Sequence, residues 1–243
     1  ICISDGGLIV AHAPVFLFLK DIDGDDKADV IKEINNGWSI GDTHAGPSNL
    51  TYGLDNKIYG AIGYSGGPNG VQSGVFTMNP DGSNVEPLTN FNNNTWGLGL
   101  SEDFEVFGST ANLNPAFHTA IPYHYYDKAG IPRKPANLIF DSATFFPMIA
   151  TRQVDFHGLY TAGASFGIYT ARTYPEKYWN RAGLIGGPTG RLLGQFFIEP
   201  NGASYKAING QNLFASFDQY TSPIQAKTGP DGQVWMLDWS NLI

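Results

Sequence analysis

Four stretches of the chain repeat one arrangement of apolar and polar positions. Each runs through alternating apolar residues, reaches Asp or Asp-Gly, and continues into an apolar pair that ends on a large side chain. The stretches are 1–10 (ICISDGGLIV), 50–59 (LTYGLDNKIY), 98–107 (LGLSEDFEVF) and 226–235 (AKTGPDGQVW). Period-2 alternation on both sides of a turn dipeptide predicts strand, tight turn, strand. The turn aspartates stand at positions 5, 55, 103 and 231, so the first two spacings are 50 and 48 residues. The longer last gap leaves room for one degenerate unit, and 160–171 (YTAGASFGIYTA) fits it. Asn79-Pro80-Asp81-Gly82 and Pro200-Asn201-Gly202 add hairpin turns between the repeats.

About fifty residues is the length of a four-stranded propeller blade. The expected fold is therefore all-β, a β-propeller present as four to five blades in one domain over 1–243. A β-sandwich also shows turn signals every 8–12 residues, but the fifty-residue superperiod favours the propeller. A propeller ring closes by pairing strands from its two chain ends. The chain begins without Met and stops just after a strand-like run. It is therefore expected to be incomplete at both ends.

Composition supports this picture. The chain of 243 residues holds 30 Gly and 15 Pro, and only 15% of its residues are charged. That excludes helical bundles and coiled coils, while 42% hydrophobic residues exclude disorder. The net charge of −8 and the absence of a Lys/Arg cluster argue against nucleic acid. No apolar run approaches the ~18 residues of a membrane span. The single Cys2 excludes an internal disulfide and a CxxCH haem attachment within this segment. Asn-x-Thr sequons stand at Asn49 and Asn93.

Two features carry candidate chemistry. In 21–29 (DIDGDDKAD), carboxylates occupy loop positions 1, 3, 5 and 9, with Gly at position 4. Asp21, Asp23, Asp25 and Asp29, with the Lys27 carbonyl, match the first part of a calcium loop. Position 12 is Lys32 rather than a bidentate Glu, and both flanks read as strands, so the loop is not an EF-hand. A solvated acidic hairpin is the plainer reading of the same residues. The second feature is the set of polar segments just ahead of the repeats: 41–49, 92–97, 152–158 and 218–223. Loops leading into the inner strands of a propeller gather at one mouth of the channel and commonly carry function. They bring Asp42, His44, Asn94, Trp96, Arg152, Asp155 and His157 into comparable places. Asp42 and His44 are alternate residues on a strand-like stretch, which would put them on one face, and Asp155 and His157 repeat that spacing. A His oriented by a carboxylate can act as general base on a hydroxyl. The plainer reading is that these groups cap and brace loops. His12, His118 and His124 have no such placement and read as structural. A metal site built from His44 and His157 has no support in spacing.

The stretch 44–63 (HAGPSNLTYGLDNKIYGAIG) resembles the soluble quinoprotein glucose/sorbosone dehydrogenases, in which a His precedes a Gly-x-Asp-x-Lys-Ile-Tyr hairpin. Those proteins are six-bladed propellers that bind pyrroloquinoline quinone at the channel mouth with calcium beside it. The resemblance implies that His44, oriented by Asp42, is the base toward a sugar or alcohol hydroxyl. The stretch 94–98 (NTWGL) is similar to their next blade, where Asn93 takes the place of an Arg. By the same resemblance Asn94, Trp96, Arg152 and His157 line the cofactor or substrate pocket. Arg191, after 187–190 (GPTG), is a further candidate to meet an anionic cofactor group. Across 21–29, 41–50, 93–98, 108–115, 152–162, 177–181 and 229–239 the chain is similar to a bacterial branch of membrane-bound dehydrogenases, often fused to a haem-binding CxxCH domain. That likeness implies a cytochrome c electron acceptor and a periplasmic or cell-surface location. The alternative function is a non-catalytic propeller that binds carbohydrate or a partner protein as the scaffold of a cytochrome domain.

Overall fold

The computed structural model describes residues 1–140, 145–152 and 155–242. Gln153 and Val154, within the polar segment 152–158, lie outside the described residues. The chain forms two compact units, the first holding Ile1–Thr95 with Ile121–Pro135, the second Trp96–Ala120 with Ala136–Ile243.

The first unit contains two antiparallel four-stranded meanders. One runs β1 (Cys2–Ser4), β2 (Gly7–His12), β3 (Val15–Lys20) and β4 (Val30–Asn36), and the other β5 (Pro47–Tyr52), β6 (Ile58–Ile62), β7 (Gly74–Met78) and β8 (Glu86–Asn90), each paired in chain order. Helix α1 (Tyr123–Ala129) also belongs to this unit. The second unit begins with the meander β9 (Thr95–Leu100), β10 (Val106–Thr110), β11 (Phe117–His118) and β12 (Asn137–Leu138). Then come β13 (Ala164–Ile168), β14 (Ala182–Gly187), β15 (Leu192–Asn201) and β16 (Ser204–Asn209), with the short β17 (Phe214–Ala215) on β15. The hairpin β18 (Pro223–Thr228) and β19 (Val234–Asp238) ends the series. Four blade-type meanders and the opening hairpin of a fifth agree with the expected four to five repeats.

The repeated turn residues perform the expected conformational work. Asp5 and Gly6 both take left-handed φ, 49° and 70°, between the paired Ser4 and Gly7, the two-residue turn whose twist suits a hairpin. At the second and last repeats the turn is one step longer. Gly53 N donates to Lys57 O at 2.8 Å and Gly229 N to Gln233 O at 2.8 Å. The Asp55 and Asp231 carboxylates cap the amides of Lys57 and Gln233. The degenerate unit lacks such an Asp, and its first two strands are joined by the long connection 169–181, with a 3₁₀ turn at Glu176–Tyr178. Helix α1 escapes the period-2 pattern altogether. Its signals are punctuation, Pro122 ahead of it and Gly130 in left-handed conformation at its end.

Each unit has its own core. In the first, Phe16 and Trp38 stack with ring centroids 4.4 Å apart, and Trp38 lies 4.7 Å from Phe76. All three are buried beside Ile9, Ile58, Ile62 and Met78. The indole Nε1 donates to Asn35 Oδ1 at 2.6 Å, so the ring is buried without an orphaned donor. In the second, Phe107, Tyr160, Phe166, Ile185, Leu192 and Phe196 form the centre. Strands β6 and β14 are buried at every position, because both of their faces are covered. Gly97 shows what close packing of sheets requires. A Cβ there would lie 2.2 Å from Ser109 Oγ and 2.6 Å from the Ser165 backbone, so β9 and β13 meet main chain to main chain.

Trp38→Ala is expected to cost about 3–5 kcal/mol of stability, since it opens a cavity against two aromatic rings. Trp38→Phe should cost visibly less, and chemical denaturation of the two variants measures the difference.

Candidate functional site

In the first unit the polar segment ahead of β5 is a turn, not the strand expected from its alternation. Asp42 Oδ1 accepts the backbone N–H of His44 at 2.9 Å, and Ala45 N donates to Asp42 O at 3.1 Å. Asn, Asp and Gly favour such side-chain-to-backbone turns over extended chain, and Asp42-Thr43-His44 sits between Gly41 and Gly46. The turn still brings the two side chains together, with His44 Nδ1 3.7 Å from Asp42 Oδ1. The imidazole is 94% exposed, so its other nitrogen faces solvent. The end of β6 clamps the turn. Gly63 N and Ser65 N donate to Ala45 O at 3.1 and 3.3 Å, and Ser65 Oγ hydrogen-bonds Asp42 O.

Asn94 reaches the same turn, its Nδ2 donating to His44 O at 3.5 Å. Its Oδ1 is buried and has no partner among the described residues. A Cβ on Gly63 would fall 1.7 Å from that oxygen, so glycine makes the room for it. Asn93 Oδ1 accepts the Tyr64 hydroxyl at 2.8 Å and the Asn94 amide at 2.7 Å. Residue 93 therefore braces the loop.

In the second unit Trp96 is half-buried on β9. Asp155 and His157 also lie in a turn rather than on a strand, and they take different partners. Asp155 Oδ2 accepts Asn112 Nδ2 at 3.2 Å, and His157 Nδ1 lies 3.3 Å from Thr151 Oγ1. Arg152 and His157 are exposed. Asn112, which sequence reasoning passed over, is the hub of this region. Its Oδ1 accepts the Thr161 hydroxyl at 2.9 Å, and Thr161 O accepts the Thr189 hydroxyl at 3.1 Å. Its signal lay inside the stretch 108–115 (GSTANLNP).

Arg191 follows the 3₁₀ turn Pro188–Gly190 in left-handed conformation, φ 57°. Ser216 N donates to its carbonyl at 3.0 Å. The residue is only 4% exposed, and its Nε and Nη1 have no hydrogen-bond partner among the described residues. Leaving buried guanidinium donors without hydrogen bonds costs free energy, and an acceptor at Nε and Nη1 would remove that cost.

The acidic loop joins β3 to β4, as its flanks predicted. Carboxylate oxygens of Asp21, Asp23 and Asp29 lie within 4.8 Å of one another. Asp21 accepts the amides of Gly24 at 2.7 Å and Asp26 at 2.9 Å, and the Gly24 amide leads in holding its carboxyl below the ordinary range. Asp29 Oδ2 accepts the Ile22 amide at 2.7 Å. Asp25 stands outside the trio and pairs with the Lys27 ammonium at 2.9 Å.

His118 is deeply buried, as a structural reading expects. Its Nε2 lies 2.9 Å from Glu105 Oε2 and its Nδ1 3.0 Å from Ser204 Oγ. Burial lowers its pKa below the ordinary value, and the Glu105 carboxylate opposes that shift. Among the described residues no helix is long and apolar enough to cross a membrane.

A family model described as "Domain of unknown function (DUF7133)" matches residues 1–243, and the chain belongs to that family. No curated protein matches it in sequence. Among solved structures it is similar to a glucose dehydrogenase at 15% identity and TM-score 0.59, over 92% of this chain and 70% of that one. The apo form of the soluble aldose sugar dehydrogenase of Escherichia coli gives 14% identity and TM-score 0.56, over 93% and 71%. The PQQ-bound aldose sugar dehydrogenase of Streptomyces coelicolor gives 12% and 0.55, over 95% and 68%. The likeness establishes the β-propeller fold expected from the repeat.

His118 should make stability pH-dependent. Its pKa is depressed in the folded state, so the unfolded chain binds the proton more readily. Its contribution is complete above the ordinary His value near 6.5 and is lost as pH falls through the depressed folded value. The difference in melting temperature between the parent and His118→Gln is expected to shrink between neutral and mildly acidic pH, as a thermal-shift series will show.

Proposed function

We propose that this DUF7133 chain is a quinoprotein-type dehydrogenase that oxidises a sugar or alcohol hydroxyl. The observation that carries the reading is Arg191, a buried guanidinium whose Nε and Nη1 have no hydrogen-bond partner among the described residues. Pyrroloquinoline quinone carries carboxylates, which accept charge-assisted hydrogen bonds from guanidinium N–H donors. In the first unit, Asn94 Oδ1 is buried with no partner among the described residues and offers a ligand a hydrogen-bond acceptor. Taken unit by unit, the second offers Arg191 and Arg152 to anionic groups of the cofactor, His157 as a hydrogen-bonding group and the half-buried Trp96 as a ring face, and the first offers Asn94 as a hydrogen-bonding group. The cofactor, when bound, supplies the two-electron acceptor.

The chain's own part is proton handling. Asp42 faces His44 Nδ1 at 3.7 Å and favours the tautomer with the proton there. The exposed Nε2 is then free to take the proton of a substrate hydroxyl. In the acidic loop, Asp21, Asp23 and Asp29 offer converging carboxylates, which suit a calcium ion at ~2.3–2.6 Å, with Asp25 and the Lys27 carbonyl completing the loop. We assign that ion a structural role, pinning the β3–β4 connection. The same resemblance supports a periplasmic or cell-surface location and a cytochrome c domain as electron acceptor.

One observation favours a second reading, a propeller that binds carbohydrate or a partner protein without catalysis. Asn93, which stands where the dehydrogenases carry Arg, spends its side chain on Tyr64 and on the Asn94 amide.

Purified protein supplied with the quinone and calcium should reduce a dye acceptor with at least one of a panel of aldoses and alcohols. His44→Ala is expected to lower the rate about 10²-fold or more. Arg191→Gln should weaken quinone binding followed by absorbance. Absence of quinone binding to the parent protein favours the second reading. Calcium, but not magnesium, should raise the melting temperature, and Asp21→Asn with Asp29→Asn should remove that rise.

A further inference from the structure

The second unit contains a cavity of about 570 Å³ that none of the assignments above uses. It opens beside the β9–β10 turn and the long 169–181 connection, and the stretch 177–181 (KYWNR) supplies four of its lining residues. Its volume suits a mono- or disaccharide.

Several lining groups are committed to building the wall. Arg172 forms a two-pronged ion pair with Glu102, 2.7 Å at each contact, and lies over the Trp179 ring at 5.2 Å. Asn180 accepts the Glu102 amide and donates to Asp103 Oδ2 at 2.8 Å, tying the turn of one sheet to the connection of the next. Tyr205 stands edge-on to Phe107 and to His118, with centroids 5.2 and 4.9 Å apart. His118 is in turn fixed by Glu105 and Ser204. The aromatic side of the cavity is therefore rigid before any ligand arrives, which lowers the entropy cost of binding.

Other lining groups are uncommitted. The Arg181 guanidinium is exposed and makes no ion pair or hydrogen bond among the described residues. The Lys177 ammonium lies over the rings of Tyr178 and Phe197, at 5.4 and 5.6 Å, and makes no ion pair among the described residues. Tyr205 and Glu176 also line the cavity, and neither the hydroxyl nor the carboxylate has a side-chain hydrogen-bond partner among the described residues. Two cations and the Glu176 carboxylate without ion pairs among the described residues, the Asp103 carboxylate held by Asn180, a phenol, and apolar walls from Phe107, Ile198 and the Tyr205 ring make a mixed recognition surface. The cations suit one anionic substituent, the carboxylate and phenol suit hydroxyl groups, and the rings suit the apolar face of a pyranose.

We propose that this cavity is a binding site for a saccharide carrying one carboxylate or sulfate group. Arg181 and Lys177 hold the anion, and Tyr205 and Glu176 hold the sugar hydroxyls. The site needs no redox cofactor, and its existence does not depend on the dehydrogenase reading.

Isothermal titration calorimetry on the purified chain, without quinone, tests it with glucuronate, glucose 6-sulfate and glucose. Saturable binding of glucuronate or the sulfate ester, about tenfold tighter than glucose, supports the site, and the tighter of the two identifies the anion. Arg181→Gln and Lys177→Gln should each weaken that binding about fivefold or more while leaving the melting temperature unchanged, because both side chains are exposed. Tyr205→Phe should weaken acidic and neutral sugars alike. The proposal is overturned by absence of saturable binding at millimolar sugar, by glucose binding as tightly as the acidic sugars, or by Arg181→Gln and Lys177→Gln binding like the parent.

Discussion

In the second unit, successive sheets meet at their first strands with main chain against main chain, and the rest of the architecture depends on that approach. A Cβ on Gly97 would strike the Ser165 backbone at 2.6 Å, and one on Gly167 would lie 2.1 Å from Ala226 O. Side chains at these positions would push the sheets apart and open voids in a core that tolerates few. Ring stacking takes over where glycine leaves space. The Phe166 ring lies over Gly183, where an added Cβ would come within 2.4 Å of it. Glycine content is therefore a packing requirement here as well as a turn requirement.

Tight packing of the strands fixes the loops that lead into them. The segment 111–114 and the segment 160–163 exchange backbone hydrogen bonds, Leu113 N to Tyr160 O at 3.0 Å and Gly163 N to Ala111 O at 2.7 Å. Asn112 then links Asp155 to Thr161, and Thr161 links to Thr189, two residues before Arg191. In the first unit the end of β6 performs the same service for the turn that carries Asp42 and His44. Functional candidates on loops are held by polar networks rooted in strands, which is how a loop acquires the precision that chemistry needs.

The repeat was legible because each hairpin needs the same two things, alternating burial and a residue that tolerates left-handed φ. Asp5-Gly6, Asp55-Asn56 and Asp231-Gly232 announce both. The degenerate unit was legible only as an apolar strand, since its connection uses a 3₁₀ turn instead of an Asp turn. The alternation of Asp42 and His44 suggested a strand, but the Asp carboxylate competes for the backbone amide two residues on and closes a turn instead. The pairing of the two side chains came through, by a different geometry. Asp155 does not pair with His157; its carboxylate accepts the Asn112 side-chain amide instead. The stretches 108–115 and 177–181 stood out in the sequence, but the bracing role of Asn112 and the cavity around Trp179 were not legible, because both depend on contacts between residues dozens of positions apart. Asn180 meets Asp103, and Tyr205 meets His118.

Burial separates the two kinds of charged group in this molecule. Arg172 and Arg133 are exposed and form two-pronged pairs with Glu102 and Asp127. Water already solvates both partners there, so each pair contributes little to stability. Arg191 lies under the surface, where the same guanidinium costs far more if it is left alone, yet its Nε and Nη1 have no partner among the described residues. A fold that needed Arg191 only for packing would be better served by an apolar side chain of similar size. The proposed anion would remove that cost, and Thr189, two residues ahead of Arg191, is anchored to Thr161 by its hydroxyl, so the chain leading into Arg191 is held in place.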